Sequence, residues 1–248
     1  MKKKILLGLG LGFLAVIVVV VIVVGFFLGN VVKAGMNTVG PTVTQTAFSV
    51  DAVHIMPLLG SVSLENFVIG NPAGYSATNL ISVGKTAVSV QPLSVLSGKI
   101  VVKNVEVHDA VINFEGNPLT KNNNLQKLLD NVNAFTGGSA KPVGTNAPAP
   151  AGAAKPAKKL EVDHFQITGA KVRFNGLTLP LPGIELTNLG TGPDGITPVE
   201  LFKDVLGEVT SSTLKAVAAS AVEAGKAVVN EGAKAVKSVG NSIGNLFK

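Results

Sequence analysis

Two stretches of the chain sixty positions apart align without a gap. KIVVKNVEVHDAVINFEG, residues 99–116, lies on KLEVDHFQITGAKVRFNG, residues 159–176, with Lys, Val, Ala, Phe and Gly identical and most apolar positions shared. Each copy reads as two strands around a small-residue corner, Asp109-Ala110 and Gly169-Ala170. The expected unit is therefore a β-hairpin, and repeated units of this kind build a sheet by stacking on one another. A shorter pattern of apolar, two residues, apolar, one residue, apolar recurs four times. It falls at Val50, Val53, Ile55; at Leu64, Phe67, Ile69; at Val102, Val105, Val107; and at Val162, Phe165, Ile167. Its last three positions alternate as a strand does, and the extra residue suits a bulge.

The second constraint is at the N-terminus. No charged residue occurs from position 5 to 32, and residues 5–28 are almost wholly apolar. About 20 such residues cross a bilayer as a helix, whereas the apolar core of a cleaved signal peptide is usually about 7–15. We read residues 1–33 as an uncleaved, single-pass anchor. Lys2, Lys3 and Lys4 precede the span and only Lys33 closely follows it, so the positive-inside bias places the N-terminus in the cytoplasm and exports the rest. The expected location is the inner, cytoplasmic membrane, with the bulk of the chain periplasmic.

Of the net charge of +6, three charges are the leading lysines. The exported part keeps 18 basic residues against 15 acidic, too dispersed an excess to indicate nucleic acid. There is no cysteine, so no disulfide framework and no cysteine metal site. His54, His108 and His164 stand beside strand positions without metal-ligand spacing, and neither a Gly-x-Ser-x-Gly elbow nor a Walker loop is present. No catalytic residue, metal site or cofactor is expected.

Between the repeats, residues 123–135 (NNLQKLLDNVNAF) put Leu125, Leu128, Leu129 and Val132 on one helical face. Residues 136–159 are rich in Ala, Pro, Gly and Lys and read as a flexible linker. Residues 160–196 continue the sheet begun at 42–135, with Pro180 and Pro182 pointing to an edge position. The tail, 197–248, opens on a capping box of Thr197 and Glu200 with Pro198 in the first turn. It then repeats every eleven residues: Lys215, Lys226, Lys237 and Lys248 on one face, Val217, Val228 and Val239 on another. Such a helix either covers the sheet with its valines or lies on anionic lipid through its lysines.

In order along the chain stand an anchor, "SLENFVIGNPAGY" with its Asn-Pro-x-Gly-aromatic turn, the Pro-x-Ser-x-Leu turn of residues 92–96, the "KIVV" strand and the "NLQKLL" helix. This order resembles the N-terminal region of AsmA-like proteins, bacterial envelope proteins with a membrane anchor. The resemblance covers residues 42–132, and less clearly 160–206. It implies a mainly β fold, a curved, taco-like antiparallel sheet with an apolar inner groove, and a role in binding or organising membrane lipid without catalysis. It brings no catalytic residues. The groove is expected to use Leu64, Phe67, Ile69, Val105, Val107, Phe165 and Ile167. The chain is short for the family, which argues against bridging two membranes. A late-embryogenesis-abundant-like β-sandwich, a structural protein that recruits an envelope protein partner through its C-terminal helix, is the alternative.

Overall fold

In the computed structural model, which describes residues 2–136 and 158–246 and the side chains of 19–136 and 158–223, the aligned repeats lie side by side. The elements run α1 (Lys2–Thr44), β1 (Phe48–Ser49), β2 (Ala52–Met56), β3 (Ser61–Gly70), β4 (Asn79–Val90), a 3-10 turn (Pro92–Leu96), β5 (Lys99–His108) and β6 (Val111–Asn113). Then follow α2 (Asn124–Thr136), β7 (Lys159–Thr168), β8 (Lys171–Phe174), β9 (Leu177–Pro180), β10 (Ile184–Leu189) and α3 (Pro198–Leu246). The ten strands form one curved, open sheet.

The register reduces these ten to six long strands, four of them interrupted. Lys85 pairs His108 in β4·β5 and Ile81 pairs Ile112 in β4·β6, one unbroken antiparallel register. So β5 and β6 are a single strand, and Asp109-Ala110 is a kink in it. The same holds for β7–β8, for β9–β10 and for β1–β2. The expected hairpin is thus corrected: the small-residue corner bends the strand without reversing it. A second correction follows. β5 pairs β7, and β6 pairs β8, in parallel, so the sheet is mixed, not wholly antiparallel. Parallel neighbours need a long crossover between them, and the connection that contains α2 supplies it. Their register is that of the sequence alignment, Lys99 against Lys159, Val102 against Val162 and Val107 against Ile167. The identical Phe114 and Phe174 meet edge to face at 5.5 Å.

The kinks line up across the sheet. Asn66 (φ 49°), Asp109 (φ 52°) and Gly169 (φ 66°) take left-handed backbone, and the registers place them in one row with Asp51 and Gly84. Asn66 and Asp51 are joined by a 2.9 Å side-chain hydrogen bond in that row. A left-handed residue opposite its neighbours breaks the pleat and turns the strand, so the row is a crease along which the sheet folds. The expected bulge is also present in β5: Ser89 faces Asn104 but Val90 faces Val102, leaving Lys103 as the extra residue.

The helices close the concave side. α1 does not stop near residue 33 but continues to Thr44, through Pro41 in its last turns. The polar segment after residue 33 is helical because it docks on the sheet: the Asn37 amide group donates to the Val50 carbonyl at 3.1 Å and accepts from the Val50 amide at 2.8 Å. Gly25 and Gly29 bring the helix against Ile55 and Val53. α2 is capped by Asn123, whose side-chain oxygen accepts from the Gln126 amide at 2.8 Å. It buries Leu125, Leu128 and Val132 completely, and Asn131 reaches the Thr44 carbonyl at the end of α1. α3 begins with the capping box read from the sequence: the Glu200 amide donates to the Thr197 hydroxyl at 3.2 Å, and the Thr197 amide to the Glu200 carboxylate at 2.8 Å. Its buried residues Leu206, Val209, Thr213 and Val217 recur at helical spacing, and it packs on α2 and on β8–β10.

Candidate functional site

The inward side chains of the creased sheet, together with α1 and α3, enclose a cavity of about 550 Å³. All seven groove residues named from the sequence line it: Leu64, Phe67, Ile69, Val105, Val107, Phe165 and Ile167. They converge because they are the inward half of neighbouring strands, Leu64 two strands from Val107 by way of Thr86, and Val107 beside Ile167. Their burial is graded. Ile69 is fully buried, and Val105, Val107, Phe165 and Ile167 are nearly so, while Leu64 and Phe67 keep part of their surface exposed.

The chemistry of the wall is uniform. Among the described residues no charged residue lines it, and the only polar side chains there are Thr44 and Thr86. α1 contributes Met36, Val39 and Val43, and α3 contributes Phe202, Val205 and Val209. Sequence reading missed Ala110 and Ala170, which lie side by side on the wall. A signal for them was present: Val107, Ala110, Ile112 and Ile167, Ala170, Val172 repeat the apolar spacing with a small residue in the middle, where the strand kinks. Coverage by the tail helix was one of the two readings of its sequence, and the first three turns of α3, Pro198 to Val209, line the groove. Of the tail lysines, Lys215 is exposed opposite the buried Val217. The side chains of Lys226 and Lys237, and all of Lys248, lie outside the described residues.

The cavity is partly open, and wall residues such as Phe67 and Val205 still meet solvent. Water inside it finds few of the two or more polar partners it needs. The wall fits hydrocarbon.

The histidines are on the opposite, polar face. His164 bonds Glu185 at 2.7 Å, His108 bonds Thr168 at 2.7 Å, and exposed His54 lies 3.6 Å from Glu65. Among the described residues no three His, Asp or Glu side chains gather as a metal would require.

The far end of the sheet is held by one carboxylate. Glu115 accepts hydrogen bonds from Asn71 (2.8 Å), the Ser76 amide (2.8 Å) and hydroxyl (2.7 Å), and the Ala77 amide (2.6 Å). Partial burial works to raise its pKa, but these donors outweigh it and hold the carboxyl below its ordinary value. Burial, and after it the Glu115 charge, push the Tyr75 phenol up. The Asn-Pro-Ala-Gly turn is therefore latched to β6 and, through the Asn124 amide on Asn71 at 3.0 Å, to α2. A second cavity of about 430 Å³ beside Tyr75 is lined by Asn117, Asn122 and Lys127 among others.

Comparison with curated proteins and with solved structures finds no match. The family model described as the AsmA family matches residues 1–182, which takes in α1, every groove strand except β10, and α2, and ends before α3. With the N-terminal apolar helix, the creased sheet and a match over well more than half its length, the chain belongs to the AsmA family.

Proposed function

We propose that this protein is a non-catalytic, membrane-anchored envelope protein that holds the acyl chains of a membrane lipid in its groove. The observation that carries the reading is the wall: a cavity of about 550 Å³ without one charged side chain among the described residues, within the roughly 300–1,000 Å³ range of small-molecule sites. Apolar walls select hydrocarbon by area, and the two threonines are too few to specify a polar ligand. The anchor is the apolar helix Val19–Thr44 and its N-terminal extension. The lysines before it favour a cytoplasmic N-terminus, the inner membrane, and a sheet in the periplasm.

Native mass spectrometry of protein gently extracted from membranes tests the proposal. The expected spectrum carries one or more co-purifying lipids released on activation. Lipid-free protein with a collapsed groove would defeat it. The alternative, a structural protein that recruits a partner through α3, gains nothing from the first part of that helix, whose apolar face is used in covering the groove. Crosslinking in membranes that captured one protein neighbour along α3, with no lipid bound, would favour it.

A further inference from the structure

The end of the sheet nearest the anchor carries exposed apolar side chains that the groove does not use. The β2–β3 tip holds Met56, Leu58 and Leu59, exposed by 57%, 68% and 74%. The 3-10 turn beside it holds Leu93 at 77% and Leu96 at 85%. The two segments form one rim: the Val90 amide donates to the Gly60 carbonyl at 2.6 Å, and Gly60 leaves no room for a side chain against Val90 and Pro92. We propose that this rim is inserted in the membrane, among the acyl chains of the leaflet from which α1 emerges.

The position of the bilayer relative to the rim follows from α1. The helix runs antiparallel to β1–β2, with Gly40 at Phe48, Asn37 at Val50, Gly29 at Val53 and Gly25 at Ile55 and Pro57. Toward its N-terminus it therefore passes the rim at Gly25. Residues 5–25 are uncharged and, at about 1.5 Å per residue, span about 32 Å. That equals the roughly 30 Å of a bilayer's hydrocarbon. The uncharged run continues to Val32, alongside β2, and its Phe26 and Phe27 are 75% and 66% exposed. The hydrocarbon boundary thus falls level with the rim or past it, toward the sheet. Five large apolar side chains held at that level by a rigid hairpin and turn have lipid as their neighbour.

The attraction is apolar, not electrostatic. Lysines at this end are already engaged: Lys99 pairs with Glu161 at 2.5 Å, and the Lys158 ammonium donates to the Val95 carbonyl. Insertion should then be insensitive to salt and indifferent to lipid charge. It goes beyond groove occupancy and rests only on α1 being a membrane span. Its consequence is that the strand ends flanking the groove open against the bilayer, where lipid enters without crossing water.

The chain has no cysteine, so single labels can be placed without background. Full-length Leu58→Cys, Leu59→Cys, Leu93→Cys and Leu96→Cys proteins, with Leu119→Cys at the opposite end (78% exposed) as reference, are reconstituted in vesicles of zwitterionic phospholipid. Flotation first reports whether α1 anchors the protein, independently of the rim. The readouts are reaction with a membrane-impermeant maleimide and quenching of a thiol-linked fluorophore by nitroxide on lipid chains. We expect the four rim thiols to react about tenfold or more slowly than position 119, from the hydrophobic transfer of a leucine-sized group, and to be quenched by the lipid nitroxide. Rim thiols as reactive as position 119 overturn the proposal. So do rim thiols that are protected but unquenched, which would mean a second copy covers them. Quenching at position 119 as strong as at the rim also overturns it, since the sheet would then lie flat on the bilayer.

Discussion

The docking of α1 on β2 can be tested with one carbon atom. A Cβ built on Gly29 would stand 2.1 Å from the Val53 carbonyl oxygen, and one on Gly25 would stand 2.5 Å from that of Ile55. Both obstacles are backbone of a paired strand and cannot rotate away. To reach the 3.4 Å of ordinary contact, Gly29→Ala must push helix and strand apart by about 1.3 Å. Overpacking of this kind costs about 1–3 kcal/mol. Alanine returns up to about 1 kcal/mol through its better helix propensity. The net loss is then on the order of 1–2 kcal/mol. Gly35 supplies the control, because a Cβ there meets nothing within 4 Å, so Gly35→Ala should be neutral or stabilising by up to about 1 kcal/mol. With no tryptophan and one tyrosine, unfolding is best followed by far-ultraviolet circular dichroism in detergent micelles. At about 2–4 °C per kcal/mol for a chain of this size, the two variants should melt several degrees apart. Equal melting temperatures would refute the close packing of α1 on the sheet, and with it the level assigned to the membrane.

Further expectations concern the latch, the lid and the crease. Glu115→Gln keeps the shape but removes the charge that gathers four donors, and should cost about 2 kcal/mol at neutral pH by denaturant melt. Because the folded carboxyl titrates below its ordinary value, its contribution is present above that value and is lost as pH falls through the depressed one; the Gln variant should lack this part of the acid destabilisation. Thr213 is fully buried in α3 and its hydroxyl has no partner among the described residues, so Thr213→Val should raise stability by about 1 kcal/mol, measured as a higher melting temperature. Gly169→Val forces a β-branched residue into φ 66° in the crease. It should cost at least about 1–2 kcal/mol, whereas the same change at an ordinary strand position would not.

Most of what was legible in the sequence was local or periodic. The gapless alignment of residues 99–116 on 159–176 turned out to be the pairing register itself, because two copies of one strand pack best when equal side chains meet. The Thr197–Glu200 box was readable because caps satisfy backbone within a turn, and α2 was readable from the spacing of its buried leucines. Direction was not readable: a small-residue corner has the same composition whether it reverses a strand or kinks it, and only the partner's register decides. The helical fate of residues 34–44 was hidden because Asn37, Thr38 and Pro41 favour coil in isolation, and the bonds of Asn37 to Val50 override that preference. Glu115 was invisible for a different reason. Its donors stand 38–44 positions away, and nothing local distinguishes it from any exposed glutamate. The seven groove residues could be named because inward strand positions are apolar, whereas Ala110 and Ala170 were passed over, although the apolar spacing runs through them, because so small a side chain does not stand out in such a pattern.

The claim that the groove holds acyl chains is tested most directly by photocrosslinking at alternate positions of one strand. Benzophenone side chains are placed at Val105 and Phe165, which line the cavity, and at Glu106 and Gln166, their outward neighbours. After irradiation in intact membranes, positions 105 and 165 should carry covalently bound phospholipid and positions 106 and 166 should not. Equal lipid labelling on both faces, or none at 105 and 165, would contradict the account.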